Sequence, residues 1–174
     1  MVRTVTFKGA SLTLIGKTVK EGMAAPDFKL ISQDLKEVGL SDFDGKIKII
    51  NFFPSLDTPV CDLQVKEFNK KAVGLSPDIV VIGISKDLPF AQARFCSLNE
   101  IKNEIVLSDY RFSSFGLNYG FLIKELNLLA RGTLIIDKSQ RIRYIQLVNE
   151  ITHSVSFDEV FNKLQNLLKG DLQP

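Results

Sequence analysis

The residues of this chain best suited to covalent chemistry are its two cysteines. Cys61 closes the segment Pro54-Ser-Leu-Asp-Thr-Pro-Val-Cys61, which leaves the apolar run Ile47–Phe53 and leads into a helical pattern. Thr58 reads as the N-cap of that helix and Pro59 as its first residue, where a missing N–H is not felt. Cys61 then falls at the third helical position, facing unpaired backbone N–H groups and the positive end of the helix dipole. Both favour a thiolate, the nucleophilic form of sulfur, and reactive cysteines gather at such helix starts. On spacing alone a second reading stays open, because a cysteine at the head of an apolar stripe also serves as a small buried hydrophobe. Cys96 ends the segment Ser85-Lys-Asp-Leu-Pro-Phe-Ala-Gln-Ala-Arg-Phe-Cys96, too far along the chain for a Cys-x-x-Cys dithiol. Alone it is an ordinary cysteine of a short helix. Two cysteines that follow neighbouring parallel strands can, however, lie at one edge of a sheet.

The elements that must position these residues are legible from periodicity. Ile47–Phe53, stopped by Pro54, and Ile79–Ile84 are continuous apolar runs, as expected of central strands covered on both faces. Gly132–Ile136 and Ile142–Val148 flank the polar loop 137–141, which predicts an antiparallel hairpin. Val5 and Phe7, then Leu12, Leu14 and Val19, alternate around Lys8-Gly9-Ala10-Ser11 and predict an N-terminal β-hairpin within residues 1–20. Pro26–Leu30 starts another short strand, and Gly39 to Gly45 is a turn-rich connection. Cys61, Val65, Phe68 and Ala72 share one helical face that ends near Gly74. Residues 89–100 form a shorter helix, and Phe157, Val160, Phe161, Leu164, Leu167 and Leu168 a third, ended by Gly170. The order β–α–β–α–β–β–α behind a hairpin predicts an α/β protein of thioredoxin-like fold, a mixed central sheet with helices on both faces.

Composition narrows the function classes. A chain of 174 residues with 45% hydrophobic and 24% charged residues is expected to be one globular domain, 1–174, with a core that needs no staples. A formal charge of +2, from 22 basic and 20 acidic residues, gives no electrostatic case for nucleic acid or an anionic membrane. The N-terminus lacks the apolar stretch of a signal peptide, and no run approaches the roughly 20 residues of a membrane span. The expectation is a cytoplasmic protein, in which a cysteine pair is redox-active more often than structural.

Pro54-x-x-x-Thr58-x-x-Cys61 resembles the active-site motif of the peroxiredoxins. The longer Asn51-Phe-Phe-Pro-Ser-Leu-Asp-Thr-Pro-Val-Cys61, the Asp87–Cys96 segment, the N-terminal hairpin and Gln146-Leu-Val-x-Glu-Ile-Thr152 are similar to the thiol peroxidase family, the atypical two-cysteine peroxiredoxins. The resemblance spans nearly the whole chain and implies the peroxiredoxin variant of the thioredoxin-like fold. It implies Cys61 as the peroxidatic nucleophile, passing through a sulfenic acid, and Cys96 as the resolving thiol of the same chain. Thr58 would position thiolate and peroxide, Pro54 would shield the sulfur, and Arg131 would polarise the peroxide bond and favour the thiolate. It further implies hydrogen peroxide or organic hydroperoxides as substrate, a thioredoxin-type dithiol protein as reductant, a homodimer, and no metal, haem or flavin. Phe52, Phe53, Phe90 and Phe95 are available for a bulky apolar substrate.

Without the resemblance these residues have plainer roles: Thr58 an N-cap, Pro54 a strand terminator, Arg131 a surface charge. His153 reads as solvated, and Asp57 and Asp62 as solvated or as supporting the helix N-terminus. Two rivals remain at this stage, a thiol–disulfide oxidoreductase of protein partners and a non-catalytic thioredoxin-fold module with core cysteines. The chain departs from the family pattern in a shortened Tyr119–Arg131 stretch and in Gly132, where a small residue with a side chain is usual. A disulfide needs Cα atoms within about 7 Å, so oxidation is expected to unwind the turn after Thr58 or the helix of Cys96.

Overall fold

The computed structural model describes residues 1–171. Its large sheet is built around β5 (Ile47–Phe52), whose six residues are all buried, and β6 (Ile79–Ser85), paired in parallel. Sequence order begins with the hairpin β1 (Arg3–Phe7) and β2 (Ala10–Ile15), then β3 (Lys29–Ile31), β4 (Glu37–Gly39) and a 3-10 turn, Leu40–Phe43. After β5 come α1 (Pro59–Ala72), β6, α2 (Pro89–Leu98), β7 (Ile105–Ser108), α3 (Ser114–Tyr119), β8 (Leu122–Ile123) and β9 (Leu128–Leu129). The chain closes with β10 (Gly132–Ile136), β11 (Ile142–Leu147) and α4 (Phe157–Asp171).

The large sheet has the order β11-β10-β5-β6-β7-β3-β4, with β5, β6 and β7 parallel and β10 antiparallel between β5 and β11. Both faces are covered. One carries α1 and α4, through Ile47, Ile49, Phe68, Val81, Ile135, Val160 and Leu164. The other packs on α3 and on a second antiparallel sheet, β1-β2-β8-β9, through a shared core of Val5, Leu14, Phe52, Ile84, Phe115 and Phe121. The mixed sheet, the hairpin and both helical layers therefore match the predicted thioredoxin-like class. No helix among the described residues is long and apolar enough to cross a membrane.

Five strands and helices were not legible in the pattern, the first being β4, in a stretch given no element from sequence. β7 adds a third parallel strand, and α3, β8 and β9 lie between it and β10; at two to six residues each, they are too short to display a period. The hairpin is also more than a hairpin, because β2 pairs with β8. At the C-terminus α4 runs through Gly170 to Asp171. Gly170 does not adopt the left-handed conformation that would end a helix there.

Candidate active site

Cys61 sits at the third position of α1, as predicted, with Thr58 at the N-cap and Pro59 at the first helical position. The cap itself differs from expectation. Thr58 makes no side-chain cap bond; its hydroxyl donates instead to Ser55 O at 3.1 Å. That leaves the hydroxyl oxygen able to accept but without a proton to give elsewhere. The loop before α1 is held by Asp87, whose carboxylate accepts from Ser55 Oγ (2.8 Å), Leu56 N (2.9 Å) and Ser85 Oγ (2.6 Å). One side chain from the start of the Cys96 segment thus anchors the segment that carries Cys61.

Arg131 is not a surface charge. It is 2% exposed, and its three guanidinium nitrogens each donate to a different partner. Nη2 reaches Cys61 Sγ at 3.0 Å, Nη1 reaches Gln64 Oε1 at 2.9 Å, and Nε reaches Ile151 O at 2.8 Å. The cation therefore lies against a sulfur that is itself 0% exposed, a setting in which an ion-assisted bond to a sulfur anion is strong. The shortened stretch before it is the β8–β9 hairpin, in which Ala130 N donates to Phe121 O at 2.9 Å and delivers the chain directly to Arg131. Gly132 is required by packing: a Cβ there would lie 2.3 Å from Gln146 O and 2.5 Å from the Phe52 ring.

A cavity of about 340 Å³ opens at this point, lined by Phe7, Pro54, Thr58, Pro59, Val60, Arg131 and Ile151, with Lys8 and Thr152 also on its wall. Pro54, Thr58 and Arg131 are thus brought together, with Cys61 bound to Arg131 behind them. Of the phenylalanines named from sequence, none lines the cavity. Phe52 lies in the opposite core, and Phe90 is 67% exposed on α2. The aromatic wall is Phe7, from the N-terminal hairpin. Glu150 pins that wall: its carboxylate accepts from Thr6 Oγ1 (2.6 Å), Lys8 N (2.9 Å) and Gly9 N (3.1 Å). These bonds, led by the Thr6 hydroxyl, hold the Glu150 carboxyl well below the usual carboxylate range.

Cys96 lies on α2, 8% exposed, and shares with Cys61 a small cluster of Phe53, Leu56, Val65, Ile101 and Val106, packed by Phe95. Both cysteines are free thiols. Burial pushes the Cys96 thiol up; Gln33 Nε2, donating to its sulfur at 3.4 Å, opposes this, and Glu104 adds to it. His153 and Asp57 are exposed, as read, and Asp62 pairs with Lys66 at 2.8 Å along α1.

Sequence reasoning missed Gln64, Asp87 and Glu150 as parts of the site. Gln64 carried a signal, a polar residue inside the buried stripe Cys61–Val65–Phe68. Asp87 and Glu150 both lie in segments that carried the resemblance.

A buried thiol at a helix start, held by a guanidinium on a thioredoxin-like scaffold, is a thiol-redox centre. Residues 20–164 match the Redoxin family. The thiol peroxidases of Staphylococcus saprophyticus and Bacillus subtilis are each 44% identical to this chain, over 94% and 95% of it and 98% of each relative. The crystal structure of a peroxiredoxin-like protein from Aquifex aeolicus matches with a TM-score of 0.89 and 41% identity, covering 95% of this chain and 97% of that one. The chain belongs to the Redoxin family, within its thiol peroxidases.

Proposed function

We propose that this protein is a thiol-dependent peroxidase in which Cys61 is the peroxide-reducing nucleophile and Cys96 the resolving thiol. The observation that carries the reading is the buried Arg131 guanidinium, 3.0 Å from the Cys61 sulfur at the head of α1. It stabilises a sulfur anion and offers fixed donors where charge develops as a peroxide bond breaks. Hydrogen peroxide or an organic hydroperoxide occupies the cavity, its apolar part against Phe7, Pro54, Val60 and Ile151. A small parting of the cavity floor brings the peroxide to the sulfur. Thr58 Oγ1, its proton committed to Ser55, accepts from the peroxide O–H, and Pro54 keeps water away.

The Cys61 thiolate attacks one peroxide oxygen and the O–O bond breaks. Sulfur keeps that oxygen as a sulfenic acid, and the other leaves as hydroxide or alkoxide and takes from solvent the proton that the Cys61 thiol had released, giving water or an alcohol. The Cys96 thiol then attacks the sulfenic sulfur, forming the Cys61–Cys96 disulfide and releasing water. A thioredoxin-type dithiol protein returns both electrons by thiol–disulfide exchange and regenerates two thiols. The common core from Val5 to Phe121 supports a single domain, and the resemblance supports a homodimer in the cytoplasm, which sedimentation and fractionation check.

The test is intact mass, with and without alkylation, after one equivalent of hydrogen peroxide, on wild type and Cys96→Ser. Wild type is expected to lose both free thiols without gaining oxygen, and the variant to gain one oxygen on Cys61. Thiols that survive and alkylate only after unfolding would return both cysteines to the role of core residues.

A further inference from the structure

A polar seam crosses the otherwise apolar layer between α1 and the large sheet. It starts at the Cys61 sulfur, passes Arg131 to Gln64 Oε1, continues from Gln64 Nε2 to Asn51 Oδ1 at 3.4 Å, and ends where Asn51 Nδ2 donates to Glu104 Oε1. Every member is buried. Gln64 Nε2 also donates to Phe52 O, and Asn51 Nδ2 to Ile82 O, each at 3.3 Å. Beyond Arg131 each donor hands on to an acceptor further from the sulfur, so turning the Asn51 amide over would set N–H against N–H. Such a chain must end on acceptors, and these are Ile82 O and the one side chain among them, Glu104.

Glu104 reaches Asn51 because Gly83, the register partner of Asn51 on β6, leaves room for it; a Cβ on Gly83 would lie 2.6 Å from Glu104 Oε1. Burial raises this carboxyl to about 8, so at neutral pH it is mostly protonated and keeps a carbonyl oxygen for Asn51 without adding a charge to the seam. Its other oxygen has no hydrogen-bond partner among the described residues. A carboxyl with one buried oxygen unpaired is a poor packing element.

We propose that Glu104 is a positioning residue for peroxide reduction: through Asn51 and Gln64 it fixes the guanidinium of Arg131 against the Cys61 sulfur. The proposal rests on Cys61 being the peroxide-reducing thiol. Glu104 touches neither the sulfur nor the cavity. It acts by giving Asn51 Nδ2 a second acceptor beside the long bond to Ile82 O, which holds the amide in the one place where its Oδ1 meets Gln64 Nε2. A correctly turned Asn51 keeps Gln64 Oε1 aimed at Arg131, and an Arg131 with all three partners has one place to put Nη2.

The experiment compares the rate of Cys61 with hydrogen peroxide in Glu104→Gln, Glu104→Leu and Gly83→Ala, each in the Cys96→Ser chain so that the first step is read alone. Glutamine keeps the acceptor oxygen and is expected to stay within about twofold of the parent. Leucine removes it and Gly83→Ala displaces it; each is expected to slow the reaction about fivefold to tenfold, with no further loss when combined. Melting temperature is the second readout. Glu104→Leu relieves the unpaired carboxyl oxygen and orphans one Asn51 N–H, costs that offset, so its melting temperature should stay near the parent's while the rate falls. An unchanged rate in Glu104→Leu and Gly83→Ala overturns the proposal. So does a loss that glutamine shares, or one that in Glu104→Leu follows a falling melting temperature. Peroxide turnover surviving in Cys61→Ser would instead sink the assignment of the nucleophile, an outcome no Glu104 variant mimics.

Discussion

Replacing Arg131 by methionine keeps much of the side-chain volume and removes the charge and all its donors. The guanidinium makes one bond to the Cys61 sulfur and two to neutral oxygens, Gln64 Oε1 and Ile151 O. A buried hydrogen bond to an ionic group contributes about 1.5–3 kcal/mol. If that stabilisation acts on the sulfur anion and on the breaking peroxide bond, its loss slows the peroxide step by about 10- to 150-fold. Stability moves less. Two acceptors are orphaned, at about 1–3 kcal/mol each, but the desolvation of a buried cation is relieved at the same time. The assay is stopped-flow oxidation by hydrogen peroxide in the Cys96→Ser chain, with iodoacetamide alkylation of Cys61 in parallel. Alkylation needs an anionic sulfur but no polarised O–O bond, so the peroxide rate should fall further than the alkylation rate. Arg131→Lys should be intermediate, since an ammonium cannot span three partners. A folded Arg131→Met chain within about threefold of the parent towards peroxide would be too small for an ionic bond at 3.0 Å and would refute the role given to Arg131.

Gly132→Ala is expected to destabilise by about 1–3 kcal/mol, because its Cβ meets a strand carbonyl and the Phe52 ring, and to slow peroxide reduction by shifting the adjacent Arg131; thermal melts and rates on one sample check both. Glu104 makes stability fall with rising pH. Its folded carboxyl is raised to about 8 from 4.5, so the unfolded chain releases its proton first and the folded state loses ground between those values. Glu104→Gln should flatten that slope, and an equal slope in melting temperature against pH would contradict the burial argument. Oxidation to the disulfide should raise amide exchange over residues 58–65 and 89–98, which with both thiols free form the intact first turns of α1 and the whole of α2. Exchange that stays unchanged there would mean that the sulfurs meet without unwinding.

What the sequence made legible follows element length. β5 and β6 are long apolar runs that only a doubly covered strand explains, and α1 announces its start through Thr58 and Pro59. β8 and β9, with two residues each, carry no period, yet their hairpin delivers Arg131. Arg131 shows the limit most clearly. An arginine before a strand is solvated unless three partners from distant segments converge on it, and Gln64, Ile151 and Cys61 become neighbours only in the folded chain. Only the family resemblance pointed to it. Of the seam beyond it Gln64 alone carried a signal, and Glu104 at its far end carried none, since a glutamate ahead of the short run Ile105–Leu107 reads as a surface residue.

The two thiols differ in ways that bear on the rival reading of a general disulfide oxidoreductase. Such an enzyme needs a reactive thiol that a partner's disulfide can reach. Cys61 is fully enclosed behind Arg131, at the end of a mostly apolar cavity sized for a small molecule. Cys96, by contrast, lies on a separate groove with Gln33, Glu100 and Lys102, and burial holds it as a thiol. An enclosed sulfur beside a fixed cation suits a peroxide, which is small and leaves negative charge on oxygen as it is cleaved. A thiol kept protonated until its helix opens suits a second step that should wait for the first. That ordering follows from the environments of the two sulfurs, and the Asp87 bonds that tie the Cys61 loop to the start of the Cys96 segment give opening at one cysteine a direct mechanical route to the other.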